Sequence, residues 1–395
     1  MKALLFERSW PKFVAARVAS EWRSGSGARV GPLRLTEVEE PSLPGVDWQR
    51  VRPRLAGICG SDLATVDGRS SRYFEPIVSF PFVPGHEVVG DLDDGRRVVL
   101  EPVLRCAARG IQPPCVECAM GETNRCRNIA YGHIEPGLQT GYCADTGGGW
   151  GSSLVAHESQ LHPVPDDLAD EAAVMVEPTA CAVHGALAAR GPEAATAVVI
   201  GAGTLGLCTI AALAYLRSDI DVLIAVAKYP EQRRLASELG ATTVVEPAEL
   251  RRVVRRQTGS GLLDGGRLTG GAGVVFDCVG SDASISDALA VIEPGGTVVL
   301  LGMPGAVHVD LTGLWHREIR LEGAYAYGTE RISGRSRRTF DLAFELVRER
   351  RLERLVTAAY PLDRYQEAIE HAANAGRRGG VKVAFDLRAE KERDR

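Results

Sequence analysis

The sequence predicts an α/β protein in which a β-rich region precedes a doubly wound parallel sheet. Short apolar segments punctuated by glycine and proline continue from the start of the chain to about residue 165. From residue 171 onward, apolar strands alternate with helical patterns. This alternation is typical of a parallel sheet covered by helices on both faces. The length of 395 residues allows two to three domains at about 100–200 residues each.

The β-rich region begins with a strand predicted at residues 1–8. Residues 16–46 combine glycine, proline, serine and charged side chains, and they predict an irregular insertion that holds one short strand, Leu33–Val38. A strand at Val51–Ala56 leads into the segment Gly57–Asp62. Further short strands are predicted at Val88–Asp93, Arg97–Leu100 and Ser153–His157.

The second half of the chain predicts the elements of the doubly wound sheet. Helices are expected at 171–189, 204–217, 230–239, 337–350 and 363–373. Strands are expected at 197–200, 222–227, Thr243–Val245, Val274–Asp277, Thr297–Leu301, Arg320–Ala324 and Gly380–Leu387. We expect the last helix and the last strand to return to the β-rich domain.

Composition excludes several classes of function. The chain is 45% hydrophobic and 25% charged with a net charge of -5, which is ordinary for a globular protein and gives no electrostatic footprint for nucleic acid. The sequence contains no run of about 18 apolar residues, so it predicts no membrane span. The first eight residues become charged too early for a signal peptide. We therefore expect a cytoplasmic protein.

Three of the nine cysteines, Cys115, Cys118 and Cys126, fall within twelve residues. In a reducing compartment, such a cluster predicts metal binding rather than disulfides.

A glycine-rich turn, Gly201-Ala202-Gly203-Thr204-Leu205-Gly206, follows the apolar strand at 197–200 and precedes an apolar helix. In that order it predicts a dinucleotide site. Gly201 allows the tight turn, Gly203 lets a pyrophosphate approach the backbone, and Gly206 lets helix and strand pack closely. Thr204 and Leu205 open the helix, whose N–H groups face the phosphates. The alternative is a glycine-rich turn without a ligand.

The end of the next strand bears on the choice of cofactor. An acidic residue there would bind the ribose hydroxyls of NAD, but Ala227 occupies this position and Lys228 follows it. A small residue beside a cation accepts a 2′-phosphate, with Arg233 one helical turn away as a second cation. The sequence therefore favours NADP and leaves NAD open, because Lys228 could equally be a solvated surface lysine.

Three separated segments supply metal-ligating groups: Cys59, the pair His86-Glu87, and Glu177. Each has an ordinary explanation alone, as a core thiol, a loop histidine and a charge in the first turns of a helix. Together they provide the thiolate, imidazole and carboxylate that a catalytic zinc takes from three protein ligands while one position stays open.

These motifs resemble the zinc-containing medium-chain dehydrogenase/reductase superfamily, and most closely its polyol and threonine dehydrogenase branch. The resemblance implies a GroES-like catalytic domain, at 1–178 and 327–395, with a structural-zinc lobe near 104–130. It also implies a Rossmann dinucleotide-binding domain at 179–326, an active site in the cleft between the two, and a homodimer or homotetramer. The motifs that carry it are Gly57–Asp62, Gly85-His86-Glu87, Cys115–Cys126, Glu177-Pro178, Gly201–Gly206 and Leu301–Pro304.

The resemblance also implies roles for single residues. Cys59, His86 and Glu177 would hold the catalytic zinc, and Glu87 would lie behind them or alternate as a ligand. Ser61 would hydrogen-bond the substrate oxygen, and Asp62 would support the zinc site. Further roles concern the cofactor: Lys382 would reach its pyrophosphate, and Val279 and Leu301 would line its nicotinamide pocket.

The chain departs from the family pattern at two places. The structural lobe of the family carries four cysteines, and Gln112 stands where the first is expected. We expect Cys106 to complete a set with Cys115, Cys118 and Cys126, the alternative being a lobe held by packing alone. The second departure is Ala64, which replaces a histidine that relays the substrate proton in many relatives.

The predicted function is reversible hydride transfer between an alcohol, of secondary or polyol type, and NAD(P), with zinc at the reacting centre. One alternative is a zinc-dependent aldehyde or ketone reductase. Another is a non-catalytic NAD(P)-binding protein, and a third is a zinc hydrolase, which would leave the dinucleotide turn without a role. The sequence does not identify the substrate within the small-molecule alcohols and carbonyls.

Overall fold

The computed structural model describes residues 1–189, 195–332 and 334–391. Contacts divide the chain into two units. Unit 1 contains Met1–Glu177, Tyr327–Thr329 and Arg351–Arg395, and unit 2 contains Pro178–Ala326 and Glu330–Arg350. Among the described residues, no helix is long and apolar enough to cross a membrane.

The first part of the chain is built from short strands. Its elements are β1 Lys2–Phe6, α1 Trp10–Trp22, α2 Gly27–Val30, β2 Leu33–Glu37, β3 Trp48–Gly57, α3 Gly60–Val66, β4 Glu87–Leu92, β5 Arg97–Leu100, α4 Val116–Ala119, β6 Leu154–His157, β7 Leu161–Pro163, α5 Asp170–Ala173 and α6 Val176–Ala188.

Strands and helices alternate from residue 196 onward. The elements are β8 Thr196–Ile200, α7 Thr204–Leu216, β9 Val222–Val226, α8 Pro230–Glu238, β10 Thr243–Val245, α9 Leu250–Thr258, β11 Ala272–Asp277, α10 Asp282–Val291, β12 Ile292–Leu300, α11 Thr312–His316, β13 Arg320–Gly323, β14 Thr329–Ile332, β15 Arg335–Arg338 and α12 Thr339–Arg350. The last elements are β16 Val356–Tyr360, α13 Tyr365–Ala373, β17 Lys382–Asp386 and α14 Arg388–Lys391.

Unit 1 centres on a mainly antiparallel sheet in the order β16-β17-β3-β4-β5-β7, with β6 also paired to β3. Alternate side chains of these strands enter a core that includes Val51, Val88, Trp150 and Phe385. The pairing of β3 with β4 sets Gly57 opposite Glu87. The sheet therefore brings together the two segments that carry Cys59 and His86.

Unit 2 contains six parallel strands in the order β10-β9-β8-β11-β12-β13. The inner strands β8, β9 and β11 are largely buried apolar runs, as expected for a parallel sheet with helices on both faces. The chain order reverses between β8 and β11, and in such sheets ligands bind beyond the carboxyl ends of the strands at that point. The predicted α/β fold class is confirmed.

Three features differ from the predictions. Residues 16–46 are not an irregular insertion, because α1 and α2 precede β2 there. Residues 330–350 belong to unit 2 rather than to the catalytic domain, since α12 packs on α7. The helices α9, α10 and α11 were not predicted. In α1 the fully buried positions are the small Ala16 and Ser20, so an apolar stripe of large residues toward the core is missing from its sequence.

Candidate active site

The first candidate metal ligand, Cys59, lies at the junction of β3 and α3. Its backbone N–H donates a hydrogen bond of 3.0 Å to Oδ2 of Asp62, which closes the first turn of α3. His86 directly precedes β4, and Glu87 is the first residue of that strand. Strand pairing and helix capping therefore fix the positions of these side chains.

The ligand atoms of Cys59, His86 and Glu87 all lie within 4.8 Å of one another. His86 and Glu87 are buried, and Cys59 is partly buried. A thiol sulfur, an imidazole nitrogen and a carboxylate oxygen at this spacing match the donor set that zinc takes in catalytic sites. The residues present therefore fit a zinc ion.

Asp62 supports the histidine from behind. Its Oδ1 lies 3.4 Å from Nδ1 of His86, which leaves Nε2 as the nitrogen for a metal. Burial lowers the pKa of His86, but the Asp62 carboxylate and the Cys59 thiol outweigh it, and the pKa lies well above the usual histidine value. The surroundings thus stabilise positive charge at this position, as a metal-binding site must.

Glu87 is ion-paired with Lys382, and both side chains are almost completely buried. The Lys382 ammonium also donates a 3.2 Å hydrogen bond to the carbonyl oxygen of Ile58. Burial lowers the pKa of Lys382, but Glu87 and Cys59 raise it more, so it stays above the usual lysine value. The structure thus places Lys382 at the metal cluster, in contrast to the pyrophosphate contact that the resemblance implies.

Gly57 has a role in the site that the sequence did not indicate, since it stood out there only as the first residue of a motif. A Cβ atom at this position would lie 2.1 Å from Oε2 of Glu87 and 2.7 Å from Cε of Lys382. Any larger residue would displace the buried ion pair. The requirement for glycine is therefore steric, and only the three-dimensional pairing of β3 with β4 reveals it.

Glu177 is the second residue of α6 and is buried. It does not belong to the cluster formed by Cys59, His86 and Glu87. Burial raises its pKa to about 7, with opposing effects from His86 and Glu87. Its charge is therefore coupled to the site. Glu87 is the carboxylate that completes the cluster with Cys59 and His86, whereas the resemblance implies Glu177 as the ligand.

The four cysteines of the lobe come together as a second cluster, with all sulfur atoms within 4.8 Å of one another. The Sγ atoms of Cys106 and Cys126 are 3.6 Å apart, and those of Cys115 and Cys126 are 4.0 Å apart. Four sulfurs tetrahedrally bound to zinc at about 2.3 Å would be about 3.8 Å apart. The set of Cys106, Cys115, Cys118 and Cys126 therefore has the dimensions of a zinc site.

Asn128 assists this lobe, a role that the sequence did not suggest. Its side-chain amide donates to Sγ of Cys106 at 3.2 Å, and its backbone N–H donates to Sγ of Cys126 at 3.4 Å. A hydrogen bond from Cys118 and the N–H of Asn128 lower the pKa of Cys126 to about 5. The lobe thus favours a thiolate, which is the form that binds metal.

The glycine-rich turn has the geometry of a dinucleotide site. Gly201 adopts a φ of 90°, which favours glycine. A Cβ at Gly206 would lie 1.7 Å from the carbonyl oxygen of Gly201, so helix and turn pack in direct contact. A Cβ at Gly203 would meet nothing within 4 Å, which leaves open space at the start of α7. Thr204 and Leu205 form the first turn of that helix.

Val279 and Leu301 follow β11 and β12 at the carboxyl edge of the parallel sheet. A Cβ on Gly201 would lie 2.4 Å from Cγ2 of Val279, and Leu301 packs against Gly185. Asp277 is buried and accepts hydrogen bonds from the N–H groups of Val279 and Gly280 at 2.8 and 3.1 Å. Asp277 thus fixes the turn that presents Val279, a role that sequence reasoning missed.

The residues expected to select the cofactor lie at the end of β9. Ala227 is buried and directly follows the strand, and Lys228 is exposed. Arg233 donates a 3.1 Å hydrogen bond to the carbonyl oxygen of Lys228 and forms a 2.9 Å ion pair with Glu246. Lys228 is therefore the more available cation of the two.

Two family profiles match separate parts of the chain. The alcohol dehydrogenase GroES-like domain matches residues 45–166, and the zinc-binding dehydrogenase family matches residues 204–347. The first range contains the cluster of Cys59, His86 and Glu87, and the second begins at the dinucleotide turn. The chain belongs to the zinc-containing medium-chain dehydrogenase/reductase superfamily. It is a zinc-dependent, NAD(P)-dependent alcohol dehydrogenase that acts on a small-molecule alcohol.

Similar proteins span nearly the whole of this alcohol dehydrogenase. The L-idonate 5-dehydrogenase of Vitis vinifera is 28% identical over 370 residues, which cover 90% of this chain and 92% of the relative. The sorbitol dehydrogenase of Arabidopsis thaliana is 27% identical, covering 91% and 93%. A Sinorhizobium meliloti protein described as a zinc-binding dehydrogenase, solved bound to NADP, is 25% identical with a TM-score of 0.67, covering 90% and 95%.

Proposed function

We propose that this dehydrogenase oxidises secondary alcohols of the polyol type, in a reversible reaction that transfers hydride to NADP. The observation that carries the proposal is the buried cluster of Cys59, His86 and Glu87 in a chain that also carries a dinucleotide turn. The similarity to dehydrogenases of L-idonate and sorbitol supports the polyol class of substrate.

In this proposal Cys59 and His86 hold the catalytic zinc, and Glu87 and Glu177 supply the carboxylates beside it. When bound, the ion polarises the substrate oxygen and lowers the pKa of its hydroxyl. Ser61, in the first turn of α3, orients the substrate hydroxyl and accepts its proton. Asp62 keeps the His86 ring in place through its carboxylate.

The four-cysteine lobe holds a second, structural zinc in our proposal. A closed tetrahedral set of four sulfurs leaves no position for a substrate. Support comes from the spacing of the sulfur atoms and from the N–H donors of Asn128 and Cys115, which point at them. The ion would contribute folding energy directly to a segment with little regular structure.

NADP is proposed as the preferred cofactor. Ala227 directly follows β9 and has no carboxylate that would repel a 2′-phosphate, and exposed Lys228 comes next. The NADP bound to the Sinorhizobium meliloti protein supports the same choice. Arg233 contributes mainly by holding the backbone of Lys228, since its guanidinium is engaged with Glu246.

The protein is further proposed to act as a homodimer or homotetramer in the cytoplasm. The strand β13 is the last in the order of the parallel sheet, and Leu321 on it is exposed, as is Trp315 just before it. A strand edge beside exposed apolar residues suits pairing between subunits. A four-cysteine set with metal-site spacing suits a reducing compartment, where thiols bind metals rather than form disulfides. Analytical ultracentrifugation of the purified protein tests the assembly.

The function is tested by steady-state kinetics with a panel of secondary alcohols, polyols, primary alcohols and amino alcohols, each with NAD and NADP. Metal content is measured on the same sample. Highest kcat/KM with a polyol and about two zinc ions per chain would support the proposal. Turnover restricted to primary alcohols or aldehydes would overturn the substrate class.

A further inference from the structure

Oxidation of an alcohol releases a proton as well as a hydride, and the proton must leave a site whose walls are largely buried. The histidine that serves this purpose in many relatives is replaced by Ala64, whose methyl group can neither accept nor release a proton. The residues around α3 provide a different route. This inference rests on the proposed function, because it concerns the proton of the same reaction.

The phenol of Tyr142 lies at the centre of a group of hydroxyls. It is buried, donates to Oδ1 of Asp62 at 3.2 Å and lies 3.3 Å from Oγ1 of Thr65. Oγ1 of Thr65 lies 2.9 Å from Oγ of Ser70. The hydroxyl of Ser61 is close enough to the Tyr142 phenol to lower its pKa. The hydrogen-bonded hydroxyls of Tyr142, Thr65 and Ser70 therefore extend from the neighbourhood of Ser61 to a partly exposed position.

We propose that the hydroxyls of Tyr142, Thr65 and Ser70 form a proton relay that carries the substrate proton from Ser61 to solvent. Each hydroxyl receives a proton on a lone pair of its oxygen and passes its own proton to the next oxygen. No residue changes its net charge, and the electron pair of the substrate C–H bond leaves with the hydride to the oxidised nicotinamide. The last proton passes from Ser70 to water.

The local structure suits this task. Ser61 and Thr65 are four residues apart on α3 and thus lie on one face of the helix. In the resting arrangement Tyr142 donates to Asp62, and Thr65 donates to the carbonyl oxygen of Ser61 at 2.9 Å. Both hydroxyls therefore rotate, Tyr142 toward Thr65 and Thr65 toward Ser70, before they pass a proton along the path. Burial raises the pKa of Tyr142 well above its usual value, which keeps the phenol neutral. Ser70 is only partly buried and gives the path an exit.

The Asp62 carboxylate has a positioning role in this relay. Its Oδ1 accepts from Tyr142 and faces His86, while its Oδ2 accepts from the N–H of Cys59. The same carboxylate therefore orients the phenol and the histidine ring. Asp62 therefore connects the metal-binding cluster, where the substrate releases its proton, to Tyr142, the first residue of the relay after Ser61.

The test compares Tyr142→Phe, Thr65→Val and the conservative Thr65→Ser in the zinc-loaded enzyme, with Tyr131→Phe as the control at an exposed tyrosine. We expect Tyr142→Phe and Thr65→Val to lower kcat by roughly 10- to 100-fold. Their solvent deuterium isotope effect should increase, and imidazole or a small primary amine in the buffer should restore part of the rate. Thr65→Ser keeps the hydroxyl and should retain most of the activity, and Tyr131→Phe should match the wild type.

Zinc content and melting temperature establish that each variant is folded and loaded. An unchanged kcat in both Tyr142→Phe and Thr65→Val would overturn the relay. So would a loss of rate that neither responds to added base nor changes the isotope effect, because that is the signature of a structural role. If the wild-type enzyme oxidises no alcohol, the proposed function fails and the relay fails with it. If the wild-type enzyme is active and the variants keep its kcat, the relay is refuted and the proposed function stands.

Discussion

The buried ammonium of Lys382 is ion-paired with the carboxylate of Glu87, which is also one of three groups positioned to bind a metal with Cys59 and His86. The lysine and a metal ion thus compete for one carboxylate. Gly57 has no side chain that would separate the pair. Charge balance in this site therefore depends on whether the metal is present.

Replacement of Lys382 by methionine tests this competition. The Glu87 carboxylate would remain buried without its partner, and breaking a buried ion pair costs about 3–5 kcal/mol. We expect that loss in the zinc-free protein, measured as the free energy of unfolding in urea, and a smaller loss in the zinc-loaded protein. Zinc itself should dissociate more slowly, by roughly tenfold or more, because a neighbouring positive charge has been removed.

The double variant Glu87→Gln/Lys382→Met is the matched control, since it removes both charges. It should recover part of the stability that Lys382→Met loses in the zinc-free protein. Equal losses in Lys382→Met with and without zinc would show that the pair does not exchange partners with the metal.

Cys59→Ser tests the catalytic cluster. A serine hydroxyl is not ionised near neutral pH and is a poor zinc ligand, so zinc content should fall by about one ion per chain. We expect kcat to fall at least about 100-fold, because the metal contributes several kcal/mol to the reaction. The melting temperature should change little, since β3 and α3 keep their backbone hydrogen bonds. Cys181→Ser, at a partly buried cysteine on α6, is the control. Wild-type turnover in Cys59→Ser would refute the assignment.

The sequence predicted the inner strands of the parallel sheet because β8, β9 and β11 are nearly continuous apolar runs. The predicted bounds of β10, Thr243–Val245, match the observed strand at both ends, and the predicted end of β9, Val222–Val226, is one residue too late. The helix α1 was missed because its buried side chains are small and its large apolar residues, such as Val14 and Val18, face outward. Periodicity of large apolar residues therefore gave no signal for this helix.

The sequence indicates site residues that stand in recognisable motifs, but it does not indicate pairs that form only through long-range contact. Cys59 and His86 stand in recognisable motifs. The lysine at position 382 is 295 residues from Glu87, and no local pattern indicates that the two form a pair. Tyr142 reaches Asp62 across 80 residues for the same reason. The family resemblance assigned Lys382 to the cofactor. A motif match identifies a position in the sequence, but it does not determine where the side chain at that position points.

Cys106→Ala tests the lobe. Cys106 is buried beside Cys126, and its loss would leave three sulfur ligands in a site built for four. We expect about one zinc ion fewer per chain and a melting temperature lower by several degrees, because a structural zinc contributes folding energy. Turnover per folded molecule should fall less. Spectroscopy of the cobalt-substituted protein should also show a weaker sulfur-to-metal charge-transfer band.

Cys143→Ala is the matched control for the lobe. Cys143 is equally buried, but its thiol donates to the carbonyl oxygen of Glu135 at 3.4 Å and belongs to neither metal cluster of the described residues. The Cys143→Ala variant should therefore be less stable than the wild type but contain the same amount of zinc. Identical zinc content in Cys106→Ala and Cys143→Ala would remove Cys106 from the ligand set.

Cofactor choice is tested at Lys228, because this residue is exposed and its replacement leaves the core intact. A phosphate–cation contact at a partly exposed site is worth about 1–3 kcal/mol, or roughly 5- to 150-fold in affinity. Lys228→Ala should therefore lower kcat/KM with NADP by that factor and change kcat/KM with NAD much less. Arg234→Ala on α8, the helix that follows Lys228, should affect neither cofactor, because this arginine pairs with Glu231 and Glu238.

Ala227→Asp is the complementary change, since its carboxylate would accept the ribose hydroxyls of NAD and repel a 2′-phosphate. Ala227 is buried and its N–H donates to the carbonyl oxygen of Val245 at 2.9 Å, so the aspartate should also lower stability in the absence of cofactor. NAD should restore that stability more than NADP does, because only NAD gives the new carboxylate a hydrogen-bonding partner. Thermal shifts with each cofactor and kcat/KM for both measure these effects. A wild-type enzyme with higher kcat/KM for NAD than for NADP would show that residues other than Ala227 and Lys228 bind the ribose.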